Sequence, residues 1–323
     1  MRAVWVRKLG GPEVLVEEET PEPVAGPGQA LVEVAYANVT FIETQLRAGG
    51  TVPFSWTPPL IPGNGVGGVV ASVGPGVEEG LVGRRVIGST GGAGGYAERV
   101  AVDAAGLLEV PDGVGMDVAV TMLADGRTAT MAVRAVELRR GERALVEAAA
   151  GGVGTLLVQL ARAAGATVVA AAGGARKVEL ARGIGADVAV DYRDPGWVDA
   201  VRAAVGGVDV VFDGVGGALG RSAFELLDRG GRMLRFGLAS GEWAAIPEEA
   251  AAERGVTLVG MVRGTPEALL AAAGDALAEA AAGRLQPVIG QVFPLDRAAD
   301  AHAAIESRAT VGRTLLAVRP EAA

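Results

Sequence analysis

A glycine-rich turn between a short apolar run and an amphipathic run constrains the fold of this chain more than any other feature. Residues 144–146 are apolar, and residues 155–163 carry leucines and a valine at helical spacing. Between them lies Ala149-Ala150-Gly151-Gly152-Val153-Gly154, with alanine in place of the first glycine of a dinucleotide-binding turn. Backbone N–H groups at such a helix start can approach a pyrophosphate closely. The strand before and the helix after make this prediction specific.

Strands and helices alternate after this turn. Apolar runs predict strands at residues 144–146, 167–171, 188–190, 208–212, 232–236 and 257–260. Helical spacing predicts helices at residues 118–136, 155–163, 176–182, 197–204 and 218–227. Regular alternation over this length predicts a parallel sheet with helices on both faces.

The first 120 or so residues have a different pattern. Short strand candidates at residues 3–7, 14–17, 30–36, 66–73 and 85–88 are separated by Gly and Pro turns, with a short helix predicted at 41–47. This is typical of an irregular β-barrel. An alanine-rich helix after Pro266, a helix at 298–307 and a strand at 314–318 are too short for a domain, so we expect them to return to the barrel. The predicted domains are 1–122 and 263–323 for the barrel and 123–262 for the parallel sheet.

Composition excludes several classes of function. The chain of 323 residues carries a net charge of −9 and no run of lysine or arginine, which argues against nucleic acid or an anionic membrane surface as partner. It has no cysteine, which excludes disulfides, a thiolate nucleophile and thiolate-ligated zinc. The N-terminus lacks the apolar segment of a secretory signal, and no apolar run is long enough for a membrane span. We therefore expect a cytoplasmic protein without a membrane segment.

Several short motifs occur in a fixed order along nearly the whole chain. They are Arg47-Ala48-Gly49, Gly94-Gly95-Tyr96-Ala97-Glu98, Gly126-Arg127-Thr128-Ala129, Gly141-Glu142 with the turn at 149–154 and Gln159, Asp213-Gly214-Val215-Gly216-Gly217, and Ala301-His302-Ala303-Ala304-Ile305-Glu306. In this set the chain resembles the zinc-free quinone oxidoreductase and zeta-crystallin branch of the medium-chain dehydrogenase/reductases. The resemblance implies a Rossmann-type α/β domain inserted into a chaperonin-10-like (GroES-like) catalytic barrel. It also implies a homodimer joined through edge strands of the cofactor domains.

The end of the second strand of the parallel sheet indicates which nicotinamide cofactor is bound. Sites for NAD usually place a carboxylate there to accept from the ribose 2′-OH, whereas a 2′-phosphate needs positive charge. Residues 170–177 contain no carboxylate, and Arg176 and Lys177 follow the strand. In the family, Gly173, Lys177 and Tyr192 line the 2′-phosphate pocket, and Gly174 belongs to the same turn. We therefore expect NADPH, although Arg176 and Lys177 can also simply begin a solvated helix.

The resemblance also implies a nicotinamide site. Its residues in this chain are Thr128, Gly216, Phe236, Gly237 and Met261. Structural alternatives exist for each type of residue, since Thr128 can brace a helix, Phe236 can belong to the core, and glycines occur wherever the chain reverses. The cofactor role is favoured because ligands bind at the carboxyl ends of strands in such sheets.

The residues that are missing indicate the chemistry. In zinc-dependent relatives a histidine–glutamate pair binds the catalytic metal, and here Asn64 and Gly65 stand in that place. The only histidine, His302, is expected to be structural and can form an i,i+4 ion pair with Glu306. No metal site is therefore expected. Without a Lewis acid, alcohol oxidation is disfavoured, and hydride transfer to a quinone or to the β-carbon of an enone fits better.

Four residues are candidates for the acceptor site. Asn38, Thr40 and Gln45 can orient an acceptor carbonyl through hydrogen bonds while water supplies the proton. Arg127 can act as an electrostatic clamp or belong to an ordinary turn. The tyrosines common near the family's substrate correspond to Gln45 and Thr51, and Tyr36 and Tyr96 are predicted barrel residues, so no phenolic donor is expected. A biosynthetic tailoring reductase, a cofactor-binding protein with non-redox chemistry and a structural role remain alternatives.

Overall fold

The computed structural model describes residues 1–50, 55–260 and 263–319. They form two compact units, residues 1–124 with 273–323 and residues 125–272. The strands are β1 (Arg2–Val6), β2 (Leu15–Glu19), β3 (Gln29–Val39), β4 (Gly65–Val73), β5 (Arg85–Ser89), β6 (Arg99–Asp103), β7 (Leu108–Glu109), β8 (Arg143–Glu147), β9 (Thr167–Ala172), β10 (Val188–Asp191), β11 (Val208–Asp213), β12 (Leu227–Arg235), β13 (Thr257–Val259), β14 (Ile289–Pro294) and β15 (Arg313–Ala317). The helices are α1 (Phe41–Ala48), α2 (Met116–Thr121), α3 (Arg127–Ala135), α4 (Gly152–Ala163), α5 (Ala175–Gly183), α6 (Trp197–Val205), α7 (Gly217–Leu226), α8 (Glu248–Glu253), α9 (Pro266–Ala281) and α10 (Ala298–Glu306).

The unit formed by residues 125–272 is built on one sheet with the strand order β10-β9-β8-β11-β12-β13. Each pair of neighbouring strands is parallel. The first strand of this unit lies in the middle, and the order reverses between β8 and β11, as in the doubly wound dinucleotide-binding fold. Leu145, Val211 and Met233 are fully buried along its centre. The predicted parallel α/β fold is confirmed.

The other unit contains a seven-stranded sheet, β14-β15-β3-β4-β5-β7, in which β6 also pairs with β3. The eleven-residue β3 is its central strand, with Leu316 of β15 opposite Ala37 in antiparallel register. The C-terminal strand β15 is therefore part of the same sheet as β3. A separate ribbon of β1 and β2 completes the strands described for this unit. Across the described ranges, no helix is long and apolar enough to cross a membrane.

The long helix predicted at residues 118–136 is wrong. The segment is divided into α2, a π-helical turn at Met122–Gly126, and α3. Gly126 is a weak helix former, and Asp125 turns its carboxylate toward Gly152, where an added Cβ would lie 2.1 Å from Oδ2. Helical periodicity on both sides concealed this interruption, because a π-turn shifts the register by one residue without ending the apolar pattern.

Helix α1 shows how local sequence sets an element boundary in the barrel unit. Thr40 accepts from the backbone N–H of Glu43, and the Glu43 side chain accepts from the backbone N–H of Thr40, which makes a complete capping box. The helix ends at Gly49, whose φ of 76° is left-handed. Thr40 and Glu43 therefore fix where the chain leaves β3.

Candidate functional site

The turn between β8 and α4 has the geometry of a diphosphate-binding turn. Helix α4 starts after Gly151, with no side chain capping its first N–H groups. A Cβ on Gly154 would lie 2.3 Å from the carbonyl oxygen of Ala148, so only glycine allows the helix to pack this closely on the strand. For a Cβ on Gly151, the same carbonyl oxygen, at 3.2 Å, is the one described protein atom within 4 Å. The rest of the space that this Cβ would enter holds no described protein atom within 4 Å, so a ligand can approach Gly151 there. Gly152 and Val153 supply the first N–H groups of the helix, and the turn fits a dinucleotide diphosphate.

Two buried acids lie at the reversal of strand order, at the carboxyl ends of β8 and β11. Val146 and Phe212 are opposite one another in register, and Glu147 and Asp213 follow them. Asp213 Oδ1 accepts the N–H groups of Val215 at 3.0 Å and Gly216 at 2.6 Å, which fixes the loop before α7. In the described part of the chain, neither oxygen of Glu147 nor Oδ2 of Asp213 has a hydrogen-bond partner.

A proton on Glu147 supplies the donor that these two acids lack. Burial raises the pKa of the Glu147 carboxyl well above its ordinary value, and the neighbouring Asp213 raises it further. The protonated form is thus favoured, and it can donate to Asp213. This pair was not predicted from the sequence. The available indication was an acid directly after three consecutive apolar residues at the end of each of two strands.

The predicted nicotinamide residues after β11 and β12 are brought together. The N–H groups of Phe236 and Gly237 lie 3.0 and 3.3 Å from the carbonyl oxygen of Asp213. The Phe236 ring covers Gly214, where an added Cβ would lie 2.8 Å from it, and Gly237 packs on the Gly214 carbonyl. Gly216, with φ of 74°, begins α7 beside them.

Two further residues of that predicted site have different positions. Thr128 is the second residue of α3 and is half-buried. Met261 lies outside the described residues. The roles of both stay predictions.

The predicted 2′-phosphate residues lie around the turn between β9 and α5. The Tyr192 ring covers Gly173, where an added Cβ would lie 3.0 Å from the ring. The Arg193 guanidinium covers Gly174, where an added Cβ would lie 2.5 Å from Nη2 of Arg193. Lys177 is half-buried and Arg176 exposed in the first turn of α5. Arg193 was not predicted from the sequence, although it directly follows Tyr192.

The candidate acceptor residues of the barrel unit have protein partners. Asn38 is buried; its Nδ2 donates to the Val120 carbonyl at 2.8 Å, and its Oδ1 accepts from Arg313 Nε at 2.9 Å. The Thr40 hydroxyl donates to Glu43 at 2.8 Å. Gln45 Nε2 lies 3.3 Å from the Thr44 hydroxyl. Asn38 has structural bonds that an acceptor would have to displace, and the catalytic roles of all three candidates stay predictions.

The only histidine belongs to a buried cluster in the barrel unit. His302 Nε2 lies 3.0 Å from the Tyr96 hydroxyl, which also lies 3.4 Å from Glu43 Oε2. Burial, with the charge of Arg47, lowers the pKa of His302 to about 3, so it is neutral. The possible His302–Glu306 ion pair is not formed, because Glu306 pairs with Arg47. Burial also raises the pKa values of Tyr96 and Glu43.

Arg127 is the fourth candidate for the acceptor site and lies in the unit formed by residues 125–272. It is the first residue of α3 and is half-buried. Burial lowers its pKa, while the charge of Asp125 acts in the opposite direction. A partly desolvated arginine can attract an anionic or carbonyl group, and its role as a clamp stays a prediction. Among the residues described, no group of three or more acidic or histidine side chains could hold a metal ion.

Comparison with known proteins identifies the family. Residues 26–112 match the alcohol dehydrogenase GroES-like domain, and residues 152–279 match the zinc-binding dehydrogenase domain. A probable quinone oxidoreductase of Schizosaccharomyces pombe is 36% identical over 327 residues, covering 97% of this chain and 96% of the relative. The chain belongs to the quinone oxidoreductase family.

One further relative and one solved structure are also similar to this chain. A 2-haloacrylate reductase of a Burkholderia species is 32% identical over 331 residues, covering 97% of this chain and 98% of the relative. The crystal structure of the Escherichia coli quinone oxidoreductase complexed with NADPH matches with a TM-score of 0.90 and 29% identity, covering 98% of this chain and 100% of that one. The resemblance deduced from the sequence motifs is confirmed.

Proposed function

We propose that this protein is an NADPH-dependent oxidoreductase that reduces a quinone or another conjugated carbonyl acceptor without zinc. The observation that carries the proposal is the uncapped start of α4 at the carboxyl end of β8, beside the reversal of strand order. Ligands of such sheets bind at this position. When bound, NADPH supplies the hydride.

Each part of the cofactor has residues to hold it. The N–H groups of the turn would bind the diphosphate, with the positive end of the α4 dipole favouring its charge. The adenosine 2′-phosphate would lie on the turn after β9, and the nicotinamide on the loops after β11 and β12. These residues are Gly151, Gly152, Val153 and Gly154 for the diphosphate; Gly173, Gly174, Arg176, Lys177 and Tyr192 for the 2′-phosphate; and Thr128, Gly216, Phe236, Gly237 and Met261 for the nicotinamide.

The zinc-free part of the proposal rests on the composition of the chain. It has no cysteine, and its one histidine is fully buried against Tyr96. A catalytic zinc usually needs three ligands drawn from histidine, cysteine and acidic side chains. Asn64 and Gly65 stand where zinc-dependent relatives have a histidine–glutamate pair. Reduction of a conjugated acceptor does not require zinc. The protein has to orient the acceptor, and a proton source has to be present.

The barrel unit would orient the acceptor. Thr40, Asn38 and Gln45 carry the polar groups proposed to meet its carbonyl. Arg127 is proposed separately as a positively charged clamp for an anionic or carbonyl group. Water would supply the proton, because Tyr96 is fully buried and its hydroxyl lies near His302 and Glu43. Thr40 cannot give up its proton without weakening the cap of α1, since Glu43 accepts it.

A conjugated acid or enone is the alternative acceptor within this reaction class. The relative named 2-haloacrylate reductase favours it, because a haloacrylate is an electron-poor alkene conjugated to a carboxylate. A tailoring reductase in biosynthesis, or a cofactor-binding protein with a non-redox or structural role, would retain the cofactor unit but not this acceptor range.

A screen of acceptors tests the proposed activity. NADPH oxidation is followed with 9,10-phenanthrenequinone, 1,4-benzoquinone, cyclohexenone and 2-chloroacrylate, after dialysis against EDTA. Turnover with either quinone supports the main proposal, and turnover with only the last two supports the alternative acceptor. Tight NADPH binding without any turnover would overturn the redox function.

We also propose that the protein is a homodimer. Strand β13 is the last strand of its sheet in the described part of the chain, and an unpaired edge is a template for pairing with a second copy. Light scattering across a range of protein concentrations tests this. A monomer mass at every concentration would contradict it.

A further inference from the structure

A carboxylate lies at the turn between β9 and α5, where the 2′-phosphate is proposed to bind, although β9 itself carries no carboxylate. Ala172 at the end of β9 is in register with Asp191 at the end of β10. Asp191 Oδ1 accepts the N–H of Gly174 at 3.0 Å, and so it holds the turn that leads into α5. The acid that is absent from β9 is thus supplied by the neighbouring strand β10.

Arg193 neutralises this carboxylate. Its backbone N–H and Nε donate to Asp191 Oδ1 at 3.0 and 3.1 Å, and its Nη2 donates to Oδ2 at 2.8 Å. The two donors on the guanidinium make a bidentate pair, which fixes the plane of the group. The pKa of the Asp191 carboxyl is lowered, chiefly by these bonds from Arg193.

The same pair places positive charge over the turn. A Cβ on Gly174 would lie 2.5 Å from Nη2 and 3.2 Å from Nη1 of Arg193, so the guanidinium covers the glycine directly. The arginine side chain is 63% exposed and the aspartate 30%, so the guanidinium remains accessible from solvent. Gly174, with φ of 100°, is required both by its backbone conformation and by this close approach.

We propose that Arg193, held by Asp191, is a specificity-determining residue for the 2′-phosphate of NADPH; this rests on the proposed function. With Arg193 in place, the carboxylate is compensated and a phosphate dianion meets a planar cation. Without it, Asp191 would repel the phosphate and could instead accept a hydrogen bond from the ribose 2′-OH of NAD. The choice between the two cofactors therefore depends on the pair, and not only on Arg176 and Lys177.

Equilibrium binding of NADP⁺ and NAD⁺, measured by titration calorimetry, tests the role of the pair. Arg193→Ala is expected to weaken NADP⁺ binding by about 10- to 100-fold and to leave NAD⁺ binding unchanged or tighter, because the freed Asp191 can accept from the ribose 2′-OH. The double variant Asp191→Asn with Arg193→Ala removes the uncompensated charge and keeps an oxygen acceptor for Gly174. It is expected to recover about tenfold of the lost NADP⁺ affinity.

Arg182→Ala is the matched control, because Arg182 is similarly exposed, at 56%, and lies near the far end of α5. It removes the same charge from the same unit and is expected to leave both affinities within about threefold.

A wild-type protein that binds NAD⁺ as tightly as NADP⁺ overturns the proposed cofactor. A wild-type preference for NADP⁺ that survives in Arg193→Ala overturns only the role of the arginine. Failure of the double variant to recover affinity overturns the repulsive role of Asp191.

Discussion

The Tyr96 hydroxyl lies 3.0 Å from Nε2 of His302, and both side chains are completely buried. Their rings meet edge to face, with centroids 5.9 Å apart. Tyr96 belongs to the N-terminal part of the barrel unit and His302 to α10, so the contact joins segments 206 residues apart. A neutral histidine is required here, since charging it would place a cation in the core near Arg47.

Stability in acid should therefore depend on His302. Its folded pKa of about 3 lies below the ordinary value of 6.5. The stability that the neutral His302 contributes is complete above the unfolded pKa. As the pH falls toward 3, the unfolded state is protonated first, and this stability is lost by about 1.4 kcal/mol per pH unit. In His302→Gln that part of the pH dependence should disappear, although the variant loses about 1–3 kcal/mol at neutral pH. Urea unfolding of both proteins at a series of pH values measures this. An identical pH dependence in the two would contradict the assignment.

Glu147 should act in the opposite direction. Its folded pKa lies above the ordinary value of 4.5, so its favourable contribution is complete below that value and is lost as the pH rises through the folded pKa. Glu147→Gln retains a donor for Asp213 and removes the titration. As the pH rises above 4.5 toward the folded pKa, the free energy of unfolding of the variant should increase relative to that of the wild type, by up to about 1.4 kcal/mol per pH unit. Glu179→Gln, on an exposed acid of α5, is the control and should show no such gain.

Two glycines of the diphosphate turn should respond differently to alanine. In Gly154→Ala the new Cβ would meet the Ala148 carbonyl at 2.3 Å, so we expect a loss of several degrees in melting temperature. In Gly151→Ala the closest protein atom lies at 3.2 Å, so folding should be nearly intact while NADP⁺ binding weakens by about tenfold or more. Gly183→Ala, where nothing lies within 4 Å, is the control for alanine itself. Full NADP⁺ affinity in Gly151→Ala would exclude close approach of the diphosphate at that residue.

The bonds from Asp213 to the loop before α7 should matter for cofactor binding. Asp213→Asn keeps an Oδ1 acceptor for the N–H groups of Val215 and Gly216, whereas Asp213→Ala removes it. We expect NADP⁺ affinity within about threefold of wild type for the first variant and about tenfold weaker for the second. Calorimetric titration of the two variants measures the difference. Equal affinities would show that the loop does not depend on these bonds.

The sequence predicted most of the elements of the α/β unit, because buried parallel strands are continuous apolar runs bounded by turns. It missed β6, β7 and β14 of the barrel unit. β6 has only two buried valines between charged ends, and β7 has only two residues. β14 alternates half-buried and exposed positions and ends in Pro294, so none of the three has a strong apolar pattern. The π-turn at Met122–Gly126 also left no mark on the helical periodicity.

The candidate site shows a similar limit. The turn at 149–154 could be found because its residues are consecutive. The pairs Glu147–Asp213 and Asp191–Gly174 could not, since each joins residues at or just after the ends of two neighbouring strands and requires the register of those strands. The prediction that the turn between β9 and α5 lacks an acid was correct for residues 170–177 and incomplete for the folded protein, where Asp191 accepts the N–H of Gly174.

Oxidation of NADPH and NADH by 9,10-phenanthrenequinone, compared in EDTA-treated protein, tests the central claim most directly. We predict turnover with both EDTA-treated and untreated protein, and a kcat/KM for NADPH at least about tenfold above that for NADH, because the 2′-phosphate gains charge-assisted contacts that NADH lacks. Absence of NADPH oxidation, dependence on added zinc, or an equal or higher kcat/KM for NADH would contradict it.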